Sequence, residues 1–494
     1  MTSKFESLMQ ALPDAEIFVP GYLGYEDRLK RWSASCIKPA AIIVCPRNAF
    51  EVSIALRYAV EHRVFPLAVC GGGHSTSGDN CSSGGMVIDL RKIRSTSVDL
   101  ERQTVTFGGG CTWDDVNCAL WNHGLATVGG TVGDTGVGGL ILGGGYGYLT
   151  GRRGLALDCL VSCEVVLANG DVVTASKEKN AELFWALRGA GANFGIVTHF
   201  TSQGYPQGDS WAGFLGYQPQ KLPALVEFGN RFMAAMDGNS MFSLIIGNFI
   251  PKNGSGIMAL VFYNGPEEEG KKFFKPLFDL EPLADTTSMV SYPDLNMMFN
   301  RYPRGPDGRH LLGGANFTFP LDVNAAQEIS DYFWETTKKA ENENLRGSTI
   351  AFEYYPTQQI RQVAIGETAF ANRGQFAPIC ITVNWTDESK DKSARLLLRN
   401  ISRYITDRVA WKGDENSDGT SVYGNYLSEP FDFLLRFGTS RLVAKSYLGS
   451  ITKAEKVYGP NSPRLRKLKK KYDPNHVFRK IVNLSPVGKG QLLE

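Results

Sequence analysis

The segment PLAVCGGGHS, residues 66–75, runs from a short apolar stretch typical of a buried strand into three glycines and a histidine. Two more glycine-rich segments follow, GGTVGDTGVGGLILGGGYG at 129–147 and RGAGANFG at 188–195. Clustered glycines let backbone N–H groups approach an anion closely, as binding of a diphosphate requires. One such segment alone could equally form a tight turn or close strand packing. Three together favour a ligand-binding site.

The order of these segments argues against a nicotinamide-type dinucleotide fold. That fold needs GxGxxG directly after a first strand and at the start of a helix. Here GAGANFG follows the helical pattern NAELFWALRG and precedes the strand-like FGIVTHF. A dinucleotide would therefore bind to loops between the strands of another architecture.

His74 has two interpretations on local grounds. A neutral imidazole can act as a nucleophile, a proton acceptor or a metal ligand. No HxH, HExxH or HxxxH partner stands near it, so we expect no metal site. A structural role in a turn stays open beside a functional one.

The sequence on either side predicts a mixture of helices and strands. AAIIVCP, MVIDL and TVTFGG are typical of strands, and EVSIALRYAVEH and TWDDVNCALWNHG of helices. CEVVLANGDVVTAS predicts a hairpin with a type I′ turn at Asn169-Gly170. Between about 206 and 420, strand-like IMALVFYNG and ICITVNW and the helical NAAQEISDYFWETTKKA predict a sheet covered by helices. The basic tail segment around Leu465, Leu468 and Tyr472 predicts an amphipathic helix with its charges in solvent.

Composition and net charge limit the classes of molecule that the protein is expected to bind. The 494 residues carry a formal net charge of +2, which favours neither nucleic acid nor an anionic membrane. No apolar run reaches the length of a membrane span, and the nine cysteines form neither CxxC pairs nor a dense framework. We therefore expect a cytoplasmic protein with a small-molecule substrate, without a nucleic-acid or membrane partner. Its oligomeric state stays open.

The ordered motifs resemble flavoprotein oxidases of the vanillyl-alcohol oxidase superfamily, in the branch of berberine-bridge-like enzymes and 6-hydroxynicotine oxidases. The resemblance runs from about residue 39 to 486 and includes PLAVCGGGHS, HGLATVGGTVGDTGVGGLILGGGYG, GLALDCL, LFWALRGAGANFGIVT, NRGQFAPICITVNW, GNY and KKKYDPNHVFR. It implies an α+β fold with a bipartite PCMH-type FAD-binding domain at 1–205 and 440–494. It also implies an inserted substrate domain at 206–439, with an antiparallel sheet covered by helices.

The resemblance implies that FAD is the cofactor and that the His74 imidazole is bonded to its 8α-methyl group. The other cofactor-binding residues that it implies are Cys70, Gly71, Gly72, Gly73, Ser75, Gly130, Thr131, Val132, Asp134, Thr135, Gly138, Gly139, Gly143, Gly144, Gly145, Gly147, Gly195, Ile196, Val197, Asn425 and Asn483. Asn425 and Asn483 could also be ordinary turn residues.

A second covalent link, common among relatives, is not expected here. Val132 stands where those relatives have a cysteine, and Leu140 stands where they have a histidine. Cys111 is an alternative thiol, although a buried residue at a strand end is the commoner role for such a cysteine. We expect a single link through His74.

The resemblance also implies roles on the substrate side. Thr135 aligns with the position that controls access of O₂ to the flavin, and its valine-like shape favours an oxidase. Tyr426 aligns with a catalytic tyrosine base, although a phenol is a poor base unless its phenolate is stabilised, and an aromatic wall is the alternative. Tyr423 and His310 are weaker candidates. Cys380 replaces a glutamine or glutamate, which weakens the prediction of a sugar substrate.

The function predicted from these residues is an FAD-dependent oxidase that removes a hydride from an alcohol, an amine or an oxidative-cyclisation substrate and forms H₂O₂ from O₂. Two alternatives stay open: a dehydrogenase with another acceptor, and a non-redox cyclase or binding protein with a structural flavin.

Overall fold

The computed structural model describes residues 2–235, 237–250, 254–301, 308–339, 345, 347–409, 420, 423–426, 453–479, 482 and 484. The strands are β1 Glu16–Phe18, β2 Ile42–Cys45, β3 Ala68–Cys70, β4 Met86–Asp89, β5 Thr96–Asp99, β6 Thr104–Gly108, β7 Leu125–Ala126, β8 Leu160–Val166, β9 Val172–Ser176, β10 Ile196–Gln203, β11 Tyr205–Pro206, β12 Ser210–Tyr217, β13 Ser240–Ile250, β14 Gly254–Tyr263, β15 Ala284–Asp285, β16 Ser288–Val290, β17 Arg309–Thr318, β18 Thr349–Tyr354 and β19 Phe376–Trp385.

The α-helices are α1 Glu6–Ala11, α2 Tyr25–Leu29, α3 Ala49–Glu61, α4 Trp113–Trp121, α5 Val137–Leu142, α6 Thr150–Arg153, α7 Ala181–Ala190, α8 Leu222–Ala235, α9 Glu267–Phe273, α10 Lys275–Phe278, α11 Tyr292–Met297, α12 Val323–Lys338, α13 Gln358–Gln362, α14 Asp391–Val409, α15 Lys453–Tyr458 and α16 Ser462–Tyr472. No helix within these described ranges combines the length and the apolar character needed to cross a bilayer.

Local sequence explains where the main helices begin. The Asn48 side chain accepts the Glu51 N–H at the start of α3, and Asp322 accepts the Ala325 N–H at the start of α12. Thr112 and Asp115 form a capping box at the start of α4. The helices and strands predicted above are confirmed at these places.

The strands form three principal sheets. The first has the order β1-β2-β4-β3, with β2, β4 and β3 parallel, and α3 packs in its core. The second is antiparallel, in the order β5-β6-β10-β8-β9. The third has eight antiparallel strands, in the order β15-β12-β14-β13-β18-β19-β17, with β16 also paired to β12. The α+β class with an antiparallel sheet is therefore confirmed.

Alternation along the large sheet separates a helix-covered face from a cavity-facing one. Phe242, Leu244 and Ile246 of β13 belong to the hydrophobic core that α8, α12 and α14 build with the sheet. Successive side chains of a strand point to opposite faces, so Met241, Ser243 and Ile245 face the other way, and these three line a large cavity. The sheet thus forms one wall of that cavity.

The β8–β9 hairpin differs from its prediction. Gly170 has a φ of +86°, but Asn169 is not among the residues with positive φ. A type I′ turn needs positive φ at both central residues. Instead, the Gly170 N–H donates to the Leu167 carbonyl, and the Leu167 N–H donates to the Asp171 carbonyl. This is a type I turn followed by a left-handed glycine, so the I′ assignment was wrong.

The tail helix α16 buries Leu465 and Leu468, as predicted, but one of its basic residues is not in solvent. The Lys469 ammonium is 2% exposed and donates to the Asn193 carbonyl at 2.7 Å and to Asp473 at 2.6 Å. This lysine connects the tail to the loop before β10. The domain boundaries at 205/206 and 439/440 stay a prediction, and residues 439 and 440 lie outside the described part of the chain.

A buried ion pair joins two of the quoted motifs. Arg373 of NRGQF donates to both carboxylate oxygens of Asp158 of GLALD, at 2.7 and 3.1 Å, and the two side chains are 1% and 8% exposed. Removing one member of a buried pair leaves the other charge uncompensated. Both motifs therefore stabilise the fold through this ion pair.

We expect Asp158→Asn to lower the free energy of unfolding by about 3 kcal/mol or more, because Arg373 loses its counter-charge. Asp279→Asn is the matched control, since its pair with Lys275 is exposed on α10 and should change stability by less than about 1 kcal/mol. Urea unfolding followed by circular dichroism measures both. Equal effects of the two substitutions would contradict the structural role.

Candidate active site

A cavity of about 1140 Å³ lies between the glycine-rich loops and the large sheet. Pockets for one small ligand are typically about 300–1,000 Å³, so this volume suits a large ligand together with a second molecule. The three glycine-rich segments meet at this cavity although they are separate in sequence. The predicted site residues that line it are Gly71, Gly72, Gly73, His74, Ser75, Gly130, Thr131, Val132, Thr135, Gly138, Gly139, Gly195, Ile196, Val197, Tyr423, Asn425 and Tyr426.

Several predicted residues do not line the cavity. Cys70, Asp134, Gly143, Gly144, Gly145 and Gly147 lie next to lining residues but not in the wall. Asn483 lies outside the described residues. Cys111 is fully buried, with its Sγ 3.7 Å from the Ser95 carbonyl, and burial raises the pKa of its thiol to about 12. Cys111 is therefore not a reactive thiol at the cavity.

The backbones of the loops at 71–75 and 130–136 touch directly at Gly72 and Gly136. A Cβ added to Gly72 would lie 2.4 Å from Gly136 Cα, and one added to Gly71 would lie 2.8 Å from the Gly109 carbonyl oxygen. Any side chain at Gly72 would push the two loops apart. Backbone brought this close can present N–H groups to an anion, and this cradle fits a dinucleotide diphosphate.

His74 is held between a ring and a carboxylate. Trp32 stacks on its imidazole with ring centroids 4.2 Å apart and planes 17° apart. The Nε2 atom lies 3.8 Å from Asp134 Oδ1. Asp134 therefore reaches His74 without lining the cavity. These contacts orient the imidazole at the cavity wall.

The Trp32 indole also contacts a second histidine. Its ring lies 4.5 Å from the His310 ring at 32°, and His310 Nδ1 lies 2.8 Å from Asn384 Oδ1. His310 and Asn384 line the cavity with Trp32. The weak candidate His310 thus belongs to the site, whereas Trp32 was missed because a single tryptophan at a distance of 42 positions carries no signal for contact with His74.

Tyr426 donates a hydrogen bond to a buried carboxylate that the sequence analysis did not identify. Its hydroxyl lies 2.8 Å from Glu353 Oε2, and both residues line the cavity. Burial raises the pKa of Glu353 to about 7, against the opposing effect of the Tyr426 hydrogen bond. Burial, aided by the nearby Glu353, raises the pKa of Tyr426 well above its ordinary value. At neutral pH Glu353 is the better base, and Tyr426 stays protonated.

One signal could have revealed Glu353. It is the only charged residue in the strand TIAFEY, and a charge within an apolar strand is costly unless it has a partner or a function. Its neighbours Phe352 and Tyr354 belong to the core, so alternation places Glu353 on the cavity face.

The turn that carries Tyr426 is held by the remaining glycines. Asn425 Nδ2 donates to the Leu140 carbonyl at 3.1 Å, and the Gly145 N–H donates to the Tyr423 hydroxyl at 3.2 Å. A Cβ at Gly143 would lie 2.0 Å from Asn425 Oδ1. The 143–145 segment therefore packs directly against Tyr423 and Asn425.

On the large sheet, the lack of a side chain at Gly314 of β17 leaves space for Tyr426. A Cβ there would lie 2.6 Å from Tyr426 Cβ. Its register partner Cys380 lines the cavity, and burial raises the pKa of that thiol above its ordinary value. Tyr426 thus lies over β17 and β19, at the edge of the cavity.

Comparison with known proteins identifies two segments. Residues 40–176 match the FAD binding domain family, and residues 450–483 match the family described as berberine and berberine like. FAD-linked oxidoreductase pgmH of Aspergillus terreus is 34% identical over 472 residues, covering 94% of this chain and 91% of that protein. FAD-linked oxidoreductase hasG of Aspergillus fumigatus is 29% identical and covers 97% of this chain and 98% of its own.

Solved structures share the fold at low identity. 6-Hydroxy-D-nicotine oxidase from Arthrobacter nicotinovorans has a TM-score of 0.79 at 22% identity, covering 96% of this chain and 98% of that one. Xylooligosaccharide oxidase from Myceliophthora thermophila, in complex with xylobiose, has a TM-score of 0.79 at 22% identity, with 98% and 99% covered. The predicted architecture is confirmed by these likenesses.

The buried Glu353 predicts a pH-dependent difference in stability. With a pKa of about 7 in the folded state against 4.5 ordinarily, it holds its proton more tightly when folded, so it lowers stability as pH rises from about 4.5 to 7. Gln cannot ionise. We therefore expect the stability of Glu353→Gln relative to wild type to rise across this window, by about 3 kcal/mol in total.

Urea unfolding at pH 4.5, 6 and 8 measures this difference. Glu268→Gln is the control, because Glu268 is exposed on α9, and its difference from wild type should stay constant. A constant difference for Glu353→Gln as well would contradict the raised pKa.

Proposed function

Because this chain belongs to the berberine-bridge-like family of FAD-linked oxidoreductases, we propose that it is an oxidase that removes a hydride from a carbon bearing a hydroxyl or amine and reduces O₂ to H₂O₂. The pair of Glu353 and Tyr426 at the cavity wall carries the proposal. Hydride loss from an alcohol carbon produces a neutral C=O only if the O–H also loses its proton, and a protonated amine must lose a proton before hydride loss can form its C=N bond. The cavity offers a group with a suitable pKa for that proton.

The cavity has the parts that FAD needs. When bound, FAD supplies a two-electron acceptor that O₂ can reoxidise. The backbone cradle of Gly71, Gly72 and Gly136 suits its diphosphate, and the cavity volume leaves room for a substrate. We assign the flavin-binding part to residues 1–205 and 440–494 and the substrate-binding part to 206–439, and the contact of α16 with the loop before β10 supports this division.

Glu353 accepts the substrate proton in this proposal. Tyr426 stays protonated, donates to Glu353 and orients its carboxylate. Ionised Glu353 predominates only above about pH 7, so the reductive step is faster on the alkaline side of that value. Tyr423 and Asn425 hold the turn that carries Tyr426.

His74 forms the single covalent bond to FAD in this proposal. Trp32 and Asp134 fix the orientation of its ring, and the cavity wall at Val132 offers no thiol for a second bond. The deep burial of Cys111 supports the single link.

We expect flavin to stay with the wild-type polypeptide after acid precipitation and to leave it in His74→Ala, because His74 is the lining histidine that belongs to the glycine-rich loop 71–75. His123→Ala, an exposed histidine, is the control and should keep its flavin. Intact-protein mass and the flavin-bearing peptide provide the measurement. Free flavin from the wild type would refute the covalent bond.

Thr135 is the residue that decides between an oxidase and a dehydrogenase in this proposal. It lines the cavity, and its side chain is close to valine in shape. A dehydrogenase with another acceptor is the second candidate, because Thr135 carries a hydroxyl in place of one methyl group of valine.

Reoxidation of the flavin tests this choice without a known substrate. Dithionite-reduced wild type mixed with aerated buffer should regain its absorption rapidly and release one H₂O₂ per flavin. Thr135→Leu should slow this step by about tenfold or more by blocking O₂, and Thr135→Val should not. Slow reoxidation of the wild type would favour the dehydrogenase.

A further inference from the structure

The surface of the large sheet that faces the cavity is lined by apolar side chains on the side of β13 and β14. Strand alternation places Met241 and Ile245 of β13 and Met258 and Leu260 of β14 on this face, and all four line the cavity. We call these four residues the apolar patch. Met241, Ile245 and Leu260 are 2%, 6% and 1% exposed, so each presents only a small part of its side chain to the cavity, whereas Met258 is half-buried and presents more.

Ser243 of β13 separates Glu353 from the apolar patch. Glu353 is the register partner of Ser243, which is in turn the partner of Leu260. In the neighbouring row, Ile245 pairs with Met258. Register partners lie about 5 Å apart, so Leu260 lies about 10 Å from Glu353 across Ser243, a distance that a fused ring system with one substituent spans.

The other half of the same face is polar. Cys380, Thr382 and Asn384 of β19 and His310 of β17 line the cavity there. Glu353 and Tyr426 therefore lie at the border between an apolar and a polar surface.

The described residues of the sheet face that line the cavity carry no lysine or arginine to pair with an anionic substrate. Among the described residues that line the cavity, Arg479 is the one lysine or arginine, and it lies over the Phe65 ring, next to the first sheet. A carboxylate or phosphate on the apolar patch would be buried without a cation. A sugar would leave several hydroxyls there without hydrogen bonds, each lowering affinity by roughly tenfold.

Aromatic surface extends the apolar patch. Phe299 lines the cavity and packs edge-on against Phe214, with centroids 5.4 Å apart. Methionine sulfur interacts favourably with aromatic rings, and its flexible side chain adapts to their shape. Two of the four patch residues are methionines, so a ring system suits this surface.

We propose that the substrate is an uncharged, mainly apolar ring compound with one hydroxyl group, whose ring lies on the apolar patch and whose hydroxyl reaches Glu353 and Tyr426. This inference rests on the proposed function of the same site. It separates this chain from the xylooligosaccharide oxidase that shares its fold.

The test uses the flavin-loaded protein under anaerobic conditions and three probes. They are naphthalene-2-methanol, its ring-carboxylated analogue, and xylobiose. Calorimetry and perturbation of flavin absorption give the dissociation constants. We expect naphthalene-2-methanol to bind at least about tenfold more tightly than either of the others. Equal or tighter binding of xylobiose, or no binding of naphthalene-2-methanol, would overturn the proposal.

Substitutions on the apolar patch locate the binding. Met258→Lys should weaken naphthalene-2-methanol by about tenfold and strengthen its carboxylated analogue, because it adds the missing cation. Met258→Gln, of similar size, should weaken binding of naphthalene-2-methanol and leave binding of the carboxylated analogue unchanged. It provides the test if the lysine variant does not fold. Met289→Lys, on the exposed β16, is the control and should change neither. Unchanged affinity in both Met258 variants would overturn the proposal.

The outcome is separable from that of the proposed function. Reoxidation by O₂ after dithionite reduction needs none of these probes, so the oxidase can fail while the ligand preference holds. Flavin reduction by xylobiose would support an oxidoreductase of sugars and overturn only the ligand class.

Discussion

The backbone contact between Gly72 and Gly136 is the constraint on which the site depends. It brings a loop that follows a parallel strand of the first sheet against a loop that leads into α5. Only glycine allows this approach, because a Cβ on either residue would meet backbone, which cannot move aside. His74 lies in the first loop, two residues after Gly72, and Thr135 lies directly before Gly136 in the second loop. The contact therefore also brings the proposed attachment point of FAD close to the residue proposed to control access of O₂.

A second junction positions Glu353, the proposed proton acceptor. Glu353 lies on the large sheet, whereas Tyr426 lies on a short turn that reaches both Gly314 of the sheet and the 143–145 segment. Glycine at 143 and 314 leaves space for the two sides of this turn. The hydrogen bond between Tyr426 and Glu353 therefore depends on two packed surfaces. The same surfaces exclude water from Glu353, and this burial raises the pKa of its carboxyl group.

Much of the architecture could be predicted from local sequence. Apolar periodicity located α3, α4, α12 and the strands of the hairpin, because burial of one face produces that pattern whatever the partner. The prediction for the hairpin turn was wrong because an Asn-Gly pair is compatible with more than one turn type, and the φ angle of Asn169 decides between them. Lys469 was expected in solvent because helical periodicity does not show that the Asn193 carbonyl and Asp473 meet its ammonium.

The sequence by itself determined the three glycine-rich segments and the order of the motifs, which are local properties of residue type and spacing. The candidate roles of His74 and Tyr426 came from the resemblance that this order of motifs carries, because the residues around each of them left a structural role open. Only the tertiary structure decided that Trp32 stacks on His74, that burial raises the pKa of Glu353 to near neutrality, and that the 143–145 segment holds a turn. Ring contacts, desolvation and close backbone approach depend on residues far apart in the chain, so no spacing within one segment encodes them.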